Sequence, residues 1–146
     1  MKRVENWKSK LFNFIKSRQN TPMEWGKSDC FLLAFDASKI ITGVEPDFGK
    51  PFRGRYRTAG GAYRLLKKYA GDGLLKTCDV VAEKLNIQEK PVNYAQTGDI
   101  ALFESESVIG GVREIMGVVL GSVSALQGKD GLVFKNTNEA KKVWKI

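Results

Sequence analysis

The chain predicts an α+β fold, and three features of its 146 residues carry that prediction. Apolar residues in the first half recur at helical spacing. After Pro91 the pattern changes to period two in β-rich runs. No internal repeat and no low-complexity linker separates the halves, so helices come first and an antiparallel meander second. A hydrophobic content of 42% and a charged content of 27% suit one domain with a buried core.

Residues 3–18 place Val4, Trp7, Leu11, Phe14 and Ile15 at helical spacing among lysines, an amphipathic helix that Gln19-Asn20-Thr21-Pro22 ends. A turn-rich approach from Pro22 leads to a second helix over 29–42, for which Ser28 or Asp29 can serve as N-cap. Phe31, Leu32, Leu33, Ala34, Phe35, Ala37, Ile40 and Ile41 make it too apolar for a surface position. It is expected to be the central core helix, starting at Cys30 and stopped by Gly43. Residues 43–56, with Pro46, Gly49, Pro51 and Gly54, read as an irregular loop. Thr58 caps a third helix over 59–70, Gly71-Asp72-Gly73 breaks it, and a fourth covers 74–85. Strands are expected at Asp99–Phe103, Arg113–Leu120, Ser122–Gln127, Leu132–Lys135 and Lys142–Lys145. Glu104-Ser105-Glu106 reads as a solvated loop at a strand end, and Gly110-Gly111 as a flexible turn.

The 24 Lys and Arg exceed the 16 Asp and Glu, for a net charge of +8. Basic residues gather at Lys50, Arg53, Arg55, Arg57, Arg64, Lys67 and Lys68, and again at Lys135, Lys141, Lys142 and Lys145. Such a surface speeds encounter with acidic partners without choosing among them, and most of it reads as ordinary solvated surface. Arg53-Gly54-Arg55-Tyr56-Arg57 interleaves cations with an aromatic, as nucleic-acid grooves do, but no nucleic-acid fold signature accompanies it. Docking on an acidic protein surface is the better use of Arg53, Arg55, Arg57, Arg64, Lys67 and Lys68. The N-terminus predicts no signal peptide, and no run reaches the ~20 apolar residues of a membrane span. Cys30 and Cys78 form no disulfide framework and no metal-ligand spacing, which predicts synthesis in a reducing compartment and neither metal nor cofactor.

The chemistry centres on Trp25-Gly26-Lys27-Ser28-Asp29-Cys30. A cysteine at a helix N-terminus gains thiolate character from the unpaired N–H groups there, and the glycine lets a substrate backbone approach. A catalytic cysteine also needs a base, usually histidine, and the chain has no histidine. Asp29 is a poor substitute, since a carboxylate with a reference pKa near ~4 hardly accepts a thiol proton. Asp29 is therefore expected to cap the helix, Trp25 to pack before it, and Cys30 and Cys78 to be small core residues.

The Asp-Cys pair opening an apolar helix, then Gly98-Asp99-Ile100-Ala101-Leu102-Phe103, then Ile115-Met116-Gly117-Val118-Val119-Leu120-Gly121 resembles the NlpC-type papain-like cysteine peptidase superfamily. That family's second strand reads His-Val-Gly-Ile-Tyr-Leu-Gly, so Ile115 falls in the histidine's place, and Gln127 stands at the third polar position on the next strand. With Gly128-Lys129-Asp130-Gly131-Leu132-Val133, the layout is closest to a subgroup of small phage tail-region proteins. It covers about residues 22–146, one papain-like domain, and leaves 1–21 as an added helix.

The resemblance implies a tail-tip or tail-assembly component with a degenerate site, made in the bacterial host cytoplasm and carried in the virion. Its partners would be other tail proteins and, secondarily, peptidoglycan. Loss of a positioned base costs on the order of a hundred- to ten-thousand-fold in rate, so a structural role is expected ahead of hydrolysis. The enzymatic alternative is a hydrolase of peptidoglycan amides. In it Cys30 attacks the carbonyl, the helix N-terminus stabilises the oxyanion, and Gln127 holds polar geometry. A small nucleic-acid-binding protein is the third reading.

Overall fold

The computed structural model describes residues 2–43, 47, 49–109 and 112–146, without the side chains of 105–109, 112 and 113. Among the described residues four α-helices, α1 (Trp7–Arg18), α2 (Cys30–Thr42), α3 (Ala59–Ala70) and α4 (Leu74–Lys84), precede six strands. The strands are β1 (Glu89–Lys90), β2 (Ile100–Ile109), β3 (Val112–Val119), β4 (Val123–Gln127), β5 (Leu132–Asn136) and β6 (Lys142–Trp144). They form one sheet in the order β1-β6-β2-β3-β4-β5, and every neighbouring pair is antiparallel. The expected α+β arrangement is therefore present, with β2 to β5 as a meander. The last strand departs from it: β6 crosses back to pair with β2 instead of extending the meander beyond β5.

Local chemistry explains the helix limits. Asp29, in extended backbone, accepts a hydrogen bond from Leu32 N–H, and Gly43 ends α2 in the left-handed conformation. Thr58 accepts from Gly61 N–H, and Gly71 closes α3 in the same left-handed way. α1 begins at Trp7, four residues later than expected, and α4 ends at Lys84. β2 runs on to Ile109, so the backbone of Glu104-Ser105-Glu106 is strand and not loop. Pro46 and the Gly110-Gly111 turn lie outside the described residues.

α2 is the axis of the main core. Leu32, Leu33, Ala37 and Ile41 have no exposed surface, and each such burial contributes about 1.5–3 kcal/mol for a branched side chain. Its buried hydroxyls are satisfied within the helix, with Ser38 Oγ donating to Ala34 O and Thr42 Oγ1 to Ser38 O. Phe31, Phe35, Phe52 and Tyr69 form an aromatic cluster, with Phe31 4.6 Å from Phe35 and 4.7 Å from Phe52 between ring centroids. Leu11 and Ile15 of α1 belong to the same core, so the first helix packs into the domain.

Strand alternation divides the sheet between two clusters. Ile100, Leu102, Met116, Val118 and Ala125 join the helices. Ala101, Phe103, Val119, Leu126 and Val143 form a second cluster, against which Ile115 packs. Buried Asp99 joins sheet and termini: its carboxylate is 2.6 Å from Lys90 Nζ and 3.5 Å from Arg3, whose Nε donates to Ile146 O.

Candidate functional site

Gly26 and Tyr56 bring the approach to α2 together with the loop before α3. Gly26 has φ +80, and a Cβ there would lie 2.2 Å from Tyr56 O, so only glycine fits. Its carbonyl accepts from Gly54 N–H at 2.8 Å. Asp29, 1% exposed, sits beneath this crossing. Its Oδ1 accepts from Leu32 N–H at 2.9 Å; its Oδ2 accepts from Gly26 N–H at 2.9 Å and from the Tyr56 hydroxyl at 2.5 Å. The carboxylate is thus a cap and a three-donor anchor.

Cys30, half-buried, lines a cavity of about 330 Å³. Met23, Trp25, Phe31, Ala62, Leu66 and Leu74 give it apolar walls, and Asp29, Glu114, Gln127 and Lys129 are among its polar lining. Trp25 also packs edge-on to Tyr56, at 6.5 Å between centroids. Cys30, Ile115 and Gln127, separated in sequence, therefore meet at one cavity.

The electrostatics run against a nucleophile. Burial pushes the Cys30 thiol up to about 12, and the Asp29 charge adds to that rise. Main-chain hydrogen bonds at Met116 of β3 and at Cys30 and Phe31 of the helix N-terminus pull the other way but are outweighed. The expected gain in thiolate character is thus reversed. Tyr56 is likewise held protonated by burial and by Asp29. Cys78 is a core residue: its Sγ lies 3.5 Å from Met116 Sδ, and burial raises its thiol too.

Among the described residues, the ionisable side chain that β3 presents to the cavity is Glu114, which the sequence reading missed. In the β2–β3 register Leu102 faces Met116 and Glu104 faces Glu114, so Glu114 shares the helix-side face; Phe103 faces Ile115 on the other. Ile115 touches the cavity yet packs against the second cluster. Period two, applied backwards from Met116, was the available signal. The Tyr56 hydroxyl on Asp29 had none, since the partners are far apart in sequence.

Gln127, 4% exposed, donates through Nε2 to Thr21 O at 2.8 Å and to Gly128 O at 3.0 Å. Two carbonyl partners fix which end of the amide is nitrogen. Oε1 has no hydrogen-bond donor. Glu114 lies 3.6 Å from Lys141 Nζ, and its buried Oε2 accepts no hydrogen bond.

The basic residues proposed for docking divide. Arg53 is committed to ion pairs with Asp36 at 2.8 Å and Asp47 at 3.4 Å, whereas Arg55, Arg57, Arg64, Lys67 and Lys68 are exposed. The Tyr56 ring is buried, so it cannot stack on a base between its arginine neighbours. Lys141 and Lys142 are paired with acidic residues, Lys142 with Asp79 at 2.7 Å and Glu89 at 3.2 Å. Among the described residues no helix is long and apolar enough to cross a membrane, and no group of three His, Cys, Asp or Glu could hold a metal ion.

The chain belongs to a domain family of unknown function (DUF6950), whose profile matches residues 2–146 and so includes α1. Comparison with curated proteins and with solved structures returns no match.

Proposed function

We propose that this chain is a catalytically silent domain of the papain-like, NlpC type that serves as a structural component of a phage tail, at the tip or in assembly. The observation that carries the silent reading is the company Cys30 keeps. Among the described residues the acids lining its cavity are Asp29 and Glu114, the chain has no histidine, and the thiol is held protonated. The papain-like assignment is supported by a cysteine at the head of the core helix and by its meeting Ile115 and Gln127 at one cavity. The tail role rests on the resemblance of the Trp-Gly-x-x-Asp-Cys layout. Exposed Arg55, Arg57, Arg64, Lys67 and Lys68 supply a basic face for acidic neighbouring proteins.

Purified protein incubated with peptidoglycan and its stem peptides is expected to release no new amine. Cleavage that disappears in Cys30→Ala would overturn the silent reading. Mass spectrometry of purified particles tests the tail role: the chain should be recovered with the tail fraction, and its absence from particles rejects that role.

One observation favours the alternative of a peptidoglycan amide hydrolase: the space beside Cys30 has the volume of a small-molecule site and Gln127 on its wall. The same digestion decides between the two.

A further inference from the structure

The cavity of about 330 Å³ at the head of the core helix is walled by carbon. Phe31 of α2, Ala62 and Leu66 of α3 and Leu74 of α4 line it and are buried. Met23, Trp25 and Ile115 add half-buried apolar surface. The polar side chains of the lining are committed elsewhere. Asp29 accepts from three donors, one of them the Tyr56 hydroxyl. Gln127 gives its nitrogen to Thr21 O and Gly128 O, and its Oε1 is buried away from the space. Glu114 Oε2 is likewise buried, 3.6 Å from Lys141 Nζ. Lys129 is exposed to bulk water. Cys30 contributes a small side chain whose thiol is only a weak donor.

We infer that this cavity binds a neutral, apolar small molecule of about a dozen carbon atoms. An apolar cavity of about 150 Å³ takes up benzene, so the volume here suits roughly twice as many carbons. An ion drawn in would exchange its water for walls of carbon, the costly arrangement for a charge. A guest that needs hydrogen bonds would lose them, because the donors and acceptors around it already have partners or are buried. A partner's leucine or phenylalanine side chain, about the size of one benzene, would fill less than half of the space. An apolar molecule of the right size needs only contact, and it supplies the packing partners that a gap denies its lining. This inference goes beyond the structural role proposed above and does not depend on whether Cys30 is catalytically silent.

The test is an NMR titration of the methyl-labelled full chain with naphthalene, and with 2-naphthoate and 2-naphthylmethylammonium as its anionic and cationic counterparts. Saturable shifts of the Ala62, Leu66 and Ile115 methyl signals are expected with naphthalene, at an affinity at least about tenfold above that of either ion. Ala62→Leu, which enlarges a side chain on the buried wall, should weaken naphthalene binding about fivefold or more. If that variant does not fold, intermolecular NOEs from naphthalene to the Ala62 and Leu66 methyls of the parent chain decide, and their absence rejects the site. No saturation up to the solubility limit of naphthalene, equal or tighter binding of either ion, shifts confined to residues outside the cavity, or unchanged affinity in a folded Ala62→Leu would overturn the inference. Naphthalene contains no amide, so cleavage of peptidoglycan would sink the silent reading and leave this titration to stand or fall by itself.

Discussion

At the scale of single residues, Asp29 shows how one side chain can look catalytic and act structurally. It precedes the cysteine, is almost completely buried, and all three of its hydrogen bonds are accepted from its own surroundings. Tyr56→Phe removes one donor to a buried acceptor and should destabilise the fold by about 1.5–3 kcal/mol, read as a lowered urea midpoint with unchanged slope. A change below about 0.5 kcal/mol would mean that the hydroxyl matters little to the anchor. Cys30, Ile115 and Gln127 were legible as a set because motif spacing along α2, β3 and β4 brings them to one place. Glu114 was not, because matching the glycines of β3 to a motif drew attention to Ile115 and away from the alternation that decides which side chains share a face.

At the scale of elements, the helices were legible to within a few residues because their limits are written in short-range chemistry. Asp29 and Thr58 are N-caps, and Gly43 and Gly71 close the helices in a conformation glycine adopts without strain. The sheet was less legible. β1 has two residues and exists only by pairing with β6, and the place of β6 beside β2 is a long-range pairing with no local signal. The polar run Glu104-Ser105-Glu106 looks like a loop, yet Glu104 is paired to Glu114 in the ladder. The turn before α2 shows a harder constraint. Gly26→Ala would force a left-handed residue and drive its Cβ into Tyr56 O, so a loss of about 1–3 kcal/mol or more is expected. A thermal melt matching the parent protein would show that the turn can rearrange.

At the scale of the whole molecule, several protons are bound more tightly in the fold than in the open chain. Cys30, Cys78 and Tyr56 are all raised, each by burial first. The unfolded chain therefore loses these protons at lower pH than the folded one. That stability is fully present below pH 9.0, the ordinary cysteine value, and is lost progressively toward the raised value of about 12. Melting temperature should hold up to about pH 9 and then fall steeply; a flat profile up to pH 11 would contradict the burial of these groups.

The central claim is that the cysteine heading the core helix is not an activated nucleophile. The most direct test is the pH dependence of iodoacetamide alkylation at Cys30, followed site by site by mass spectrometry so that Cys78 is counted separately. A thiol held up to about 12 should carry about a thousandfold less thiolate at pH 8 than an ordinary cysteine, and its rate should still be climbing at pH 10. Rapid modification that levels off near neutral pH would show an activated thiolate and contradict the account.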